Sequence, residues 1–183
     1  MMKKENILFL DVLIRYAVIA ASIFVIPLFY FALKTPTTQV LYFIMHFFYN
    51  VNVNGNILTF FISGNLFNVE IIDACVAGSA FFLLLILNLS TKGISFIKRV
   101  YLFLFDALIL FLVNIIRLMV IIPLYLQESA FFPIAHQIFW YGLSIIFVIV
   151  IWLFGTRVFR IREIPVYSDV CWLIGKSKKA QRA

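Results

Sequence analysis

Three side chains in this sequence can together do nucleophilic and acid–base chemistry. Cys75 lies in VEIIDACVAGSAFFLLLILNL, where a polar segment gives way to an apolar run. Arg117 lies in DALILFLVNIIRLMVIIPLYL and His136 in PIAHQIFWYG. The thiolate is the nucleophilic form of cysteine, and a nearby cation lowers its pKa. An imidazole can take the thiol proton and later return it to a leaving amine. Arg117 stands six residues before Pro123, about 9 Å along a helix axis at 1.5 Å per residue. A cation that far inside an apolar helix is costly and marks a functional site. Asn114 precedes Arg117 by three residues and shares roughly its face. It is the candidate substrate-binding residue, able to hydrogen-bond a partner or orient the guanidinium. Cys75, Arg117 and His136 are the candidate catalytic set.

These residues must be carried by membrane helices. The chain has 183 residues, of which 64% are hydrophobic, 18% aromatic and 13% charged. Its mean hydropathy is +1.08. A soluble domain carries about a quarter charged residues, so the sequence predicts an all-α integral membrane protein. Four spans are expected, near Val12–Leu33, Ala74–Leu89, Val100–Leu126 and Ala135–Phe154. The run Val40–Val51 is too short to span and predicts an interfacial helix. The apolar N-terminal run is too long for a signal-peptide core and predicts a retained helix.

Positive residues set the orientation. Lys3 and Lys4, then Lys92, Lys98 and Arg99, then Arg157, Arg160, Arg162, Lys176, Lys178, Lys179 and Arg182 fall on one side of four spans. Both termini are then cytoplasmic in a multi-pass protein of the cell membrane. Cys75, Arg117 and His136 fall near the outer face. Residues 1–155 read as the transmembrane unit and 156–183 as a basic cytoplasmic tail against anionic lipid. The net charge of +7 is absorbed by this placement, and no nucleic-acid partner is implied. Cys75 and Cys171 lie on opposite sides, form no disulfide framework and make no metal motif. Asp73 fits an N-cap-like role before Cys75. Asp106, eleven residues before Arg117, reads as bundle packing or as a partner to another polar group.

The outer segment ILTFFIS, Gly64-Asn65, LFNVEII predicts a β-hairpin between the first two spans. In that register Ile62 faces Phe67, Phe60 faces Val69 and Leu58 faces Ile71. The hairpin either caps the bundle or offers an edge strand to an extended peptide.

At these residues the chain resembles the exosortase/archaeosortase family. ACVAGSA around Cys75, NIIR from Asn114 to Arg117, and His136 on the next helix stand in that family's order, over about Asn52 to Gly142. CVAGSA, in place of the bacterial CSG form, is closer to archaeosortases. The resemblance implies a multipass membrane cysteine transpeptidase acting on exported proteins with a C-terminal sorting signal. It makes Cys75 the nucleophile, Arg117 the stabiliser of thiolate or oxyanion, and His136 the acid/base. The product passes through a thioester to an amine or lipid acceptor, and no metal or organic cofactor is implied. The alternative is a non-catalytic membrane scaffold or assembly subunit, in which Arg117 pairs with a partner helix. A channel or carrier is disfavoured, because there is no inverted repeat and no polar line through the bundle.

Overall fold

Pro27 opens the first long helix, at a position where its missing N–H costs nothing. This helix, α1 (Ile26–Met45), continues through Pro36. Thr37 and Thr38 are fully buried, and Thr38 Oγ1 donates to the Lys34 carbonyl at 3.0 Å. The polar stretch around Lys34 is therefore helix rather than loop. It joins the end of the expected first span to the first half of the expected interfacial helix, which does not exist as a separate element. The computed structural model describes residues 17–18, 20–91, 94–139 and 143–161. The start of the first span, Lys3, Lys4, Arg15, Lys92, Cys171 and the tail from residue 162 lie outside the described residues.

A three-stranded antiparallel sheet follows: β1 (Asn50–Asn54), β2 (Ile57–Ile62) and β3 (Asn65–Glu70), in that order. β1 was not expected. Its Val-Asn alternation and the Gly55-Asn56 turn were the available signal. Gly55 has φ +60°, as the first position of a type II′ turn requires. The second turn is Ser63-Gly64, with φ 50° and 85°, the left-handed pair of a type I′ turn. The sequence placed this turn one residue later. Each β2 residue consequently pairs with a β3 residue two earlier than expected: Phe60 with Phe67, Leu58 with Val69. A two-residue slip keeps every side chain on its predicted face. Alternation fixes the face, and the turn fixes the register.

The inner face of the sheet joins Leu41 and Met45 of α1 in one core, with Val51, Leu58, Phe60 and Ile71. Four further helices supply most of the rest: a single turn α2 (Asp73–Val76), α3 (Gly78–Ser90), α4 (Phe96–Leu126) and, after the short α5 (Phe132–Gln137), α6 (Leu143–Val158). α3 packs against α1, α4 and α6. Phe81 and Leu84 of α3, Leu110 of α4, and Val148 and Trp152 of α6 form the second core.

The molecule is thus mostly helical with one small sheet. α4 has 31 residues and is the one described helix long and apolar enough to cross a membrane. α3 and α6 are shorter apolar helices. The second apolar run starts at Gly78 rather than Ala74, and the fourth at Leu143 rather than Ala135. In each case a shorter helical segment precedes the apolar helix. Asp106 is fully buried, its carboxylate packed against Gly155 of α6, and neither carboxylate oxygen has a hydrogen-bond partner among the described residues.

Gly78 lets α3 approach α1. A methyl group there would lie 2.5 Å from a ring carbon of Tyr30. Gly78→Ala is therefore predicted to destabilise the fold by about 1–3 kcal/mol, read as a lower midpoint of thermal unfolding. Tyr30→Leu on the same chain should recover part of the loss. An unchanged midpoint would show that the ring moves aside freely.

Candidate active site

The site begins with a break in a helix. Ala77 has φ 56° and ψ 30°, a left-handed conformation that costs a residue with a Cβ roughly 1–2 kcal/mol. It ends α2, and α3 starts afresh. The N–H groups of Ala80 and Phe81 bond the Ala77 carbonyl at 2.9 and 3.2 Å. The last carbonyls of α2 are left without donors from their own helix.

Two side chains of α4 supply those donors. Asn114 Nδ2 donates to the Cys75 carbonyl at 2.9 Å. Arg117 Nη2 donates to the Ala74 carbonyl at 3.4 Å. Residues three apart share a helix face, so one face of α4 grips two successive carbonyls beside the thiol. Asn114 and Arg117 are buried. Arg117 Nε has no hydrogen-bond partner among the described residues.

Asp73 does not cap the turn. Ile72 occupies the capping position, with no side-chain cap bond. Asp73 begins α2 and pairs with Lys34 of α1. A neighbouring carboxylate disfavours a thiolate, and this ion pair offsets its charge. Burial pushes the Cys75 thiol above its ordinary pKa. The backbone at Ile72 and the Arg117 charge pull the other way without cancelling that rise.

Cys75 and Arg117 both border a groove of about 240 Å³. One wall is the continuous stretch Asn68–Ile72, from β3 towards α2. Leu118, Ile121, Ile122 and Tyr125 of α4 also line it. Phe132 and His136 of α5 close it. The His136 ring stacks on Phe132, four residues earlier, with centroids 5.6 Å apart and planes 16° from parallel. Phe132 in turn lies against Tyr125, at 5.5 Å.

The structure therefore brings Cys75, Arg117 and His136 to one groove from three elements. Asn114 stands behind Cys75 and borders a separate, small cavity that Arg117 also reaches. The sequence showed β3 as a hairpin strand with an edge open to a peptide but not its place beside Cys75, and it gave no sign of the left-handed Ala77. Phe132 had a visible signal, the four-residue spacing to His136. Among the described residues no group of His, Cys, Asp and Glu could hold a metal ion. Comparisons with protein-family models, with curated proteins and with solved structures find no match.

The raised thiol has a pH consequence. With Cys171→Ser, Cys75 is the sole cysteine of the chain. Its alkylation by iodoacetamide is predicted to rise about tenfold per pH unit from pH 6 to 8, because only the thiolate reacts. Arg117→Gln removes an attractive charge and should slow alkylation further at pH 7.5. A rate plateau below pH 8 in the parent would show instead that the thiol is held low.

Proposed function

We propose that this chain is a membrane thiol transpeptidase of the exosortase/archaeosortase type, nearer the archaeosortases. The observation that carries the reading is the shared groove. A thiol, a buried guanidinium and an imidazole line it together, and α4 holds the backbone of the thiol residue in place.

The membrane supports the same reading. At about 1.5 Å per residue, 31 residues exceed the roughly 30 Å hydrocarbon core. Leu104, Leu108, Leu112, Ile116 and Val120 form an exposed stripe along α4, and Ile145, Ile149 and Leu153 extend exposed apolar surface on α6. Lipid is the natural cover for such surface. In the full proposal α1, α3, α4 and α6 make a multi-pass bundle with cytoplasmic termini. The groove then opens at the outer face of the cell membrane.

The substrates are exported proteins ending in a recognition segment, an apolar helix and a basic cluster. The apolar helix docks beside the bundle and leaves its outer junction at Cys75. Because burial keeps the thiol protonated, a base must take its proton, and His136 does so. Sγ then attacks the scissile carbonyl, and Arg117 draws the developing negative oxygen. The C–N bond breaks, and His136 returns the proton to the departing amine. An amine or a lipid hydroxyl attacks the thioester, gives its proton to His136 and releases the thiolate. No metal or organic cofactor enters these steps.

The position of Arg117 favours catalysis over a scaffold. It lies 7% exposed and borders the groove, away from the outer stripe where a partner helix would meet it.

Processing of a co-expressed exported protein with such a C-terminal signal tests the proposal. Cys75→Ala should leave the substrate full-length. His136→Ala should slow processing by about 10²–10⁴-fold. Undiminished processing by a folded Cys75→Ala protein would remove the thiol from the mechanism, and the proposal with it.

A further inference from the structure

The groove wall made by β3 is a sheet edge. β2 occupies one side of β3, and among the described residues no strand lies on the other. In an antiparallel ladder, alternate residues exchange both backbone bonds with their partner while the residues between them point away. The parity is set here by Ile71, whose N–H bonds the Asn56 carbonyl at 2.9 Å. Counting back in the same register, Val69 and Phe67 also face β2. Asn68 and Glu70 therefore turn their N–H and C=O groups to the free edge, and Ile72 continues the series. These same residues line the groove that ends at Cys75.

The side chains sort by the same parity. Val69 and Ile71 pack on the core, while Asn68 and Glu70 are exposed. Glu70 is the one acidic side chain among the described residues lining the groove. Leu118, Ile121 and Ile122 of α4 give the groove apolar lining.

We infer that the free edge of β3 binds an extended basic–apolar peptide segment as a fourth strand, main chain to main chain, and so delivers it to Cys75. The segment is parallel to β3, because β3 runs towards Cys75 and the proposed substrate's apolar helix lies C-terminal to its cleavage point. Its residues level with Val69 and Ile71 bond to Asn68, Glu70 and Ile72 and turn apolar side chains the same way as Val69. The residue level with Glu70 is Lys or Arg, paired with that carboxylate. This deepens the transpeptidase reading and rests on it.

The test uses the full chain with Cys171→Ser and a peptide warhead, acetyl-Val-Lys-Val-Thr-Ala chloromethyl ketone. Chloroacetone carries the same reactive group without a strand. Rates of Cys75 alkylation are read by mass spectrometry and expressed relative to chloroacetone on the same protein. The lysine of the peptide is level with Glu70, so the N–H of the second valine bonds the edge and that of the lysine faces away. N-methylation at the second valine should slow labelling about tenfold, the worth of one to two main-chain hydrogen bonds. N-methylation at the lysine should leave the rate close to the parent peptide. Glu70→Lys should slow the lysine peptide and favour the same peptide carrying glutamate instead.

Equal effects of the two methylations, or no peptide advantage over chloroacetone, would overturn strand addition while leaving the thiol chemistry standing. If chloroacetone fails to alkylate Cys75 in folded protein, both readings fall. The methylation comparison uses unaltered β3, so it does not depend on how a Glu70 variant folds.

Discussion

Two carbonyl oxygens organise this molecule. The turn at Ala77 cuts one helix into a single turn and a longer piece, and it strips the Ala74 and Cys75 carbonyls of the donors a continuous helix would give them. Buried carbonyls without donors cost of the order of 1–3 kcal/mol each. Asn114 and Arg117 meet that need from a neighbouring helix. The left-handed alanine persists because the surrounding structure over-determines it. The same bonds fix where the thiol stands, and they give a buried guanidinium a reason to be where it is.

The arrangement makes Arg117 serve two neighbours. One nitrogen holds the backbone beside the thiol, and Nε has no partner among the described residues. Its charge lies close enough to Cys75 to favour the thiolate, yet burial outweighs that pull. A thiol whose pKa is raised reacts more slowly with oxidants and alkylating agents, since both chemistries proceed through the thiolate. In the proposed mechanism, reactivity then depends on what fills the groove and on the imidazole that lines it.

Much of this was legible in residue types. A thiol, a guanidinium and an imidazole at the ends of apolar runs pointed to one location because unpaired polar groups inside apolar helices need partners. Asn114 was marked by its spacing from Arg117, although its amide bonds the backbone behind the thiol. What the sequence hid were breaks and continuations. Pro36 and the buried threonines beside it looked like a loop, while Ala77 looked like ordinary helix. Propensity is a weak guide at such positions, where tertiary bonds decide. The hairpin register slipped for a related reason: Ser63-Gly64 and Gly64-Asn65 are both acceptable turns, and the hydrophobic alternation is satisfied by either. β1 was overlooked because asparagine-rich strands carry little apolar signal.

The far end of α3 is closed differently. Arg99, in the first turn of α4, donates to the carbonyls of Asn88, Leu89 and Thr91, and Asn88 Nδ2 returns a bond to the Arg99 carbonyl at 3.0 Å. These partners are 8 to 11 residues apart in the chain. The bonds that fix the thiol join residues 39 and 43 apart. Closing a longer loop sacrifices more chain entropy, and non-local contacts form later on that account. The clasp on α3 and α4 therefore closes a short loop, and the hold on Cys75 a long one. The candidate nucleophile is thus held by contacts that cost more chain entropy to close than the clasp at the far end of α3.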